Sequence, residues 1–137
     1  MSTFRITFSL DLFNGPENRA ASFEALEVML RNLVEIDMIH LRHHPQTPWL
    51  YQSGVRYMEE PPGQEDWNDI PTILKLGISD CEDIAAWRVA ELRVRQGIDA
   101  KPIFRTFPRP DGGVLYHIQV QYPDGTIEDP SKLLGMR

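Results

Sequence analysis

The feature that most constrains this chain is an abrupt change of period after residue 97. Residues 80–96 read as a helix of good helix formers, with Asp80 placed as an N-cap, Asp83 three residues on, and Gly97 just beyond the end, where a left-handed cap is favoured. Directly afterwards the apolar residues alternate. Residues 101–107 and 114–121 read as strands joined by Pro110-Asp111-Gly112-Gly113, and 126–129 read as a third, short strand behind Tyr122-Pro123-Asp124-Gly125. A helix feeding consecutive hairpin-linked strands predicts an α+β fold in which that helix packs on a small antiparallel sheet.

Upstream, Phe4, Ile6, Phe8, Leu10 and Leu12 alternate with polar residues, the pattern of a strand with one buried face. After Asn14-Gly15-Pro16, a long helix is expected over about 17–43, with Phe23, Leu26, Met29, Leu30, Leu33 and Ile36 as its core stripe. Residues 45–63 turn to proline, glutamine and aromatics and close on Pro61-Pro62-Gly63, which reads as an irregular wall or lid. A short helix over 69–76, stopped by Gly77, leads back to the helix at 80. With 137 residues, the chain is expected to be a single domain over 1–137: a strand and helix in 1–44, the wall in 45–65 and a catalytic core in 66–137.

Composition removes several classes of partner. A formal charge of −6 opposes binding to a phosphate backbone, so no nucleic acid is expected. No apolar run approaches the ~18 residues needed to span a bilayer, so neither membrane nor export is expected. A single cysteine cannot form an internal disulfide or a multi-cysteine zinc site, and a reducing, cytoplasmic setting is its simplest home. His40, His43 and His44 close a helix, where imidazolium groups suit the dipole, and are not read as metal ligands.

That cysteine, Cys81, falls in the first turn of the best-marked helix, where free N–H groups and the dipole favour a thiolate, although Asp80, Glu82 and Asp83 crowd the same turn. A partner imidazole is therefore needed. His117 lies in the 114–121 strand on the face of Leu115, Gln119 and Gln121, opposite the apolar face of Tyr116, Ile118 and Val120. If Tyr122-Pro123-Asp124-Gly125 is a type I turn with a glycine bulge, Tyr122 pairs with Thr126 and Asp129 falls opposite Gln119, one diagonal step from His117. A tighter Asp124-Gly125 turn would place Asp129 opposite Val120 on the core face. Sulfur as nucleophile, imidazole as proton carrier and carboxylate as its orienter make a coherent set, with the backbone N–H of Cys81 and either Trp67 or Gln52 as oxyanion donors.

The stretches GISDCEDIAAWRVAELRVRQGIDAKP, YHIQV and DGTIEDPS, in this order and spacing, resemble the transglutaminase-like superfamily, including bacterial transglutaminase-like cysteine proteases. The similarity covers about residues 66–131. It implies a papain-like core and carries the family's nucleophile, histidine and aspartate onto Cys81, His117 and Asp129. The tryptophan that often follows the histidine is replaced by Ile118-Gln119, implying a different acceptor-side groove.

The resemblance implies a thiol-dependent amide hydrolase or acyl transferase acting on peptide or glutamine carboxamide bonds through a thioester. The partner is then a protein or peptide substrate, and the source a bacterium or phage. No cofactor is required, although acidic residues beside the family's nucleophile can bind calcium, which maps to Asp80, Glu82 and Asp83; as N-cap and first-turn acids they also need no ion. The alternative is a catalytically silent structural or binding module of the same fold, possible in a phage particle.

Overall fold

A computed structural model of the chain describes residues 3–9, 16–61, 65–108, 110 and 114–137. In chain order the elements are α1 (Arg19–His43), β1 (Arg56–Tyr57), α2 (Ile70–Leu76), β2 (Ile78–Ser79), α3 (Cys81–Gln96), β3 (Lys101–Pro108), β4 (Val114–Gln121), β5 (Ile127–Glu128) and α4 (Pro130–Leu133). A 3-10 turn precedes α1 at Pro16–Asn18, and another interrupts the irregular wall at Leu50–Gln52. The chain is a mixed α+β protein with two small sheets.

Helix α3 is the centre of the molecule. Ile84, Ala85, Ala86, Trp87, Val89 and Ala90 are all fully buried, and a helix apolar on every side is one surrounded by other elements. One side, with Cys81, Ala85, Val89 and Leu92, packs with Leu30, Leu33 and Val34 of α1 and with Ile118 and Val120 of β4. The other, with Ile84, Trp87 and Ala90, packs with Leu41, Leu50, Val55, Ile70, Ile73 and Leu134. The apolar face expected for the 114–121 strand is thus the one applied to α3.

The sheet runs β3-β4-β5, antiparallel throughout, with Arg105 opposite His117 and Val120 opposite Glu128. The second sheet, a parallel pairing of Arg56 with Ile78 and Tyr57 with Ser79, had no periodic signal because each strand has only two residues. It ties the wall to the entry of α3. The wall is packed rather than lid-like where it is best anchored: Leu50 and Val55 are buried, and the Leu50 N–H donates to buried Glu91 at 2.9 Å.

Local signals mark α2 and α3 as expected. Asp69 caps α2 by accepting from the Thr72 N–H, and Gly77 (φ 76°) and Gly97 (φ 64°) supply left-handed ends. Two expectations are corrected. Residues 3–9 form no strand; Phe4, Ile6 and Phe8 are 87%, 66% and 68% exposed, because no sheet edge pairs with them, while Leu10 and Leu12 lie outside the described residues. The α1 stripe holds at Leu26, Leu30 and Leu33, which are buried, but not at Ile36, which is 49% exposed, whereas Asp37 is buried and accepts the Ile70 N–H at 3.0 Å.

Candidate active site

Cys81 opens α3, and its side chain is turned into the cluster shared by α1, α3 and β4, leaving the residue 7% exposed. Burial, and then Glu82 beside it, push the thiol far above its ordinary range; the backbone N–H of Ile118, directed at the sulfur, opposes the rise. The dipole-stabilised thiolate expected at this first turn is therefore outweighed in this conformation. The Ile118 contact nevertheless places the sulfur against the part of β4 that carries His117. No hydrogen bond joins the sulfur to the imidazole among the described residues.

The histidine and carboxylate do meet. His117 Nε2 lies 2.9 Å from Asp129 Oδ2, with His117 buried and Asp129 half-buried. The looser of the two turn geometries accounts for it: the Tyr122 N–H donates to the Thr126 carbonyl, the Gly125 N–H to the Tyr122 carbonyl, and Gly125 takes φ 89°. Extending the Val120–Glu128 pairing by one residue sets Asp129 opposite Gln119 and diagonal to His117, as the register argument requires. Burial alone would raise the Asp129 carboxyl, but hydrogen bonds from Gln119 and His117 hold it below the usual carboxylate range.

Asp129 is also the N-cap of α4, accepting the Lys132 N–H through Oδ1 at 3.3 Å. Its neighbour Glu128 faces the opposite side of the sheet and accepts from Arg88 Nε (2.7 Å), Tyr51 Oη (2.6 Å) and Tyr122 Oη (2.7 Å). Arg88 in turn donates to Glu91. This network clamps β5 to α3 and thereby holds the register on which the His117–Asp129 contact depends.

The two side chains considered as oxyanion donors are not placed alike. Trp67 packs against the Cys81 cluster, but its indole N–H already donates to Glu65 Oε2 at 3.2 Å. Gln52 is exposed in the Leu50–Gln52 turn. That turn is anchored at Glu91, ten residues and about 15 Å along α3 from Cys81. The structure does not bring Gln52 to the thiol.

An acidic cluster surrounds the same turn. Carboxylate oxygens of Glu60, Glu65 and Asp80 all lie within 4.8 Å of one another. Tyr116 Oη bridges Glu65 (3.1 Å) and Glu82 (2.9 Å). Asp80 Oδ1 and Glu82 Oε2 are buried with no hydrogen-bond partner among the described residues. Burial, then its contact with Glu82, pushes the Asp80 carboxyl up to about 11, and burial and Glu82 push Glu65 up to about 7. Of the residues onto which the calcium expectation maps, Asp80 joins this oxygen group and Glu82 reaches it through Tyr116. Asp83 does not: its two oxygens accept the Asn68 N–H and the Ser79 hydroxyl, both at 2.9 Å, and it pins the segment before α2 to α3.

Asp80 also stands at the N-cap position without making a side-chain cap, since its carboxyl is turned into the cluster. His40 contacts Thr47 and stacks on His44 at 4.5 Å, so these rings close α1. Two contributors escaped the sequence reading, and a third, Gln119, was placed opposite Asp129 but given no role. Glu60 and Glu65 carry no pattern, because their position depends on the path of an irregular segment. Gln119 was legible, since the same register that points Asp129 at His117 sets Gln119 directly across from it. Among the described residues no helix is long and apolar enough to cross a membrane. No known protein family, curated protein or solved structure matches the chain.

Proposed function

We propose that this chain is a thiol-dependent amide hydrolase or acyl transferase of transglutaminase-like type with a papain-like core, working through Cys81, His117 and Asp129 on peptide or glutamine carboxamide bonds. The single observation that carries the reading is the 2.9 Å contact of His117 Nε2 with Asp129 beside the strand segment that touches the Cys81 sulfur. With Nε2 held by the carboxylate, Nδ1 is left to exchange a proton with the thiol. The Cys81 thiolate attacks the carbonyl carbon, the imidazolium protonates the departing amine, and a thioester forms. Water then releases the acid, or an amine acceptor takes the acyl group, and the thiol regains its proton. Hydrolysis is the default because water is always present.

Cys81 must first gain access to solvent and lose its proton. A divalent cation held by Glu60, Glu65, Asp80 and Glu82 would supply positive charge beside the thiol and so favour its ionised form. The setting proposed is cytoplasmic, in a bacterium or in a cell producing phage. A second reading, a silent binding or structural module, is favoured by the 7% exposure of Cys81 and the upward push on its thiol.

Trapping separates the two. A glutamine-containing peptide pool is incubated with the protein, quenched in acid and analysed by intact mass. An acyl adduct mapped to Cys81 in the wild type and absent from His117→Ala supports the enzyme, whereas no adduct across hydrolytic and amine-supplemented conditions supports the silent module.

A further inference from the structure

The geometry points to Gln119 as the positioning residue of the proposed site, an inference that rests on the triad reading above. Its Nε2 donates to Asp129 Oδ2 at 3.0 Å, the same oxygen that meets His117 Nε2 at 2.9 Å. The register sets Gln119 directly opposite Asp129, whereas His117 reaches it from one diagonal step away. The carboxylate has a second role at the same time, because Oδ1 caps α4 through the Lys132 N–H. Gln119 fixes the second oxygen, Oδ2, where the imidazole meets it. As an ionised carboxylate only accepts, the Gln119 amide is held with its NH2 toward Asp129. Its hydrogen bond also opposes the effect of burial on the Asp129 carboxyl.

A leucine at 119 keeps the bulk and removes the donor, leaving Oδ2 held by the imidazole alone. The test uses two readouts on the full chain, each compared with Asp129→Asn. The first is the pH profile of Cys81 alkylation by iodoacetamide. The second is the exchange rate of the His117 Nε2 proton in 1H–15N NMR. Gln119→Leu is expected to move the rise of the alkylation profile up by about one pH unit and to speed exchange of that proton about tenfold. Gln119→Glu, which loses the donor at neutral pH but regains it when protonated, recovers wild-type behaviour below about pH 5.

A Gln119→Leu protein with wild-type profile and proton exchange, alongside an Asp129→Asn protein altered in both, overturns the inference and leaves the triad reading intact. Alkylation that is the same in wild type and His117→Ala overturns the triad reading instead, and the imidazole proton still reports whether Gln119 orders the carboxylate. Because the NMR signal requires a folded hairpin, a Gln119→Leu protein that keeps the wild-type amide spectrum while the imidazole proton changes separates positioning from unfolding.

Discussion

Replacing Glu82 with glutamine keeps the side-chain length and removes the carboxyl that Asp80, Glu65, Tyr116 and the Cys81 thiol all face. Glu82 is 2% exposed; Oε1 accepts from Tyr116 at 2.9 Å, but Oε2 accepts from no N–H or hydroxyl donor among the described residues. A glutamine oxygen can keep the tyrosine, and its NH2, standing where Oε2 stood, donates to the Asp80 carboxyl. Converting an orphaned buried acceptor into a donor facing a carboxylate is worth about 1–3 kcal/mol. For a chain of this size that is a rise of roughly 3–9 °C in Tm.

The pH dependence gives the sign. The folded Asp80 carboxyl is pushed up to about 11, so the folded state keeps a proton that the unfolded chain, titrating near about 3.9, releases. Wild-type stability from this group is therefore full below about pH 4 and declines as pH climbs through neutrality. Glu82→Gln removes one cause of that shift, so its advantage is smallest at pH 4 and grows by pH 8. Thermal unfolding followed by far-UV circular dichroism in chelator-containing buffer, at pH 4, 6 and 8, measures it. A Glu82→Gln protein equal to or less stable than wild type at pH 8 refutes the reasoning.

Three further outcomes follow from the same contacts. Millimolar calcium raises wild-type Tm, by the equivalent of about 2.7 kcal/mol at a hundredfold excess over Kd, and leaves a Glu60→Gln/Glu65→Gln double variant unmoved in differential scanning fluorimetry. Asp129→Asn destabilises by about 1 kcal/mol at pH 7 in urea unfolding. Because the folded carboxyl is held low, that contribution is present above about pH 4 and disappears as pH falls through the folded value, so the two proteins converge in acid. Trp87→Ala, at a fully buried position packed among Leu41, Ile70 and Ile73, costs about 3–5 kcal/mol in the same assay.

What could be read from the sequence was what local chemistry decides. Asp69, Gly77 and Gly97 bound their helices by capping rules that operate within one turn, and Pro123-Asp124-Gly125 fixes the hairpin register through Gly125. Asp129 reaches His117 because of that register. Long-range packing was not legible. Asp37 is drawn inside by the N-terminal N–H of α2, while Ile36 faces out. Asp80 abandons its cap because Glu82 and Glu60 compete for its carboxyl, and Cys81 is covered because α3 is enclosed on all sides. The alternation of Phe4, Ile6 and Phe8 carries a strand pattern, but pairing needs an edge that sequence period does not supply.

Whether sulfur and imidazole act as one unit is tested most directly by the rate of Cys81 carboxamidomethylation between pH 5 and 10, read by intact mass, in wild type and His117→Ala. The account predicts that wild type reacts at least about tenfold faster than the variant at pH 7, the variant rising only at or above the free thiol value of about 8.5. Superimposable profiles would mean that His117 and Asp129 hold each other for structure alone, with no influence on the thiol.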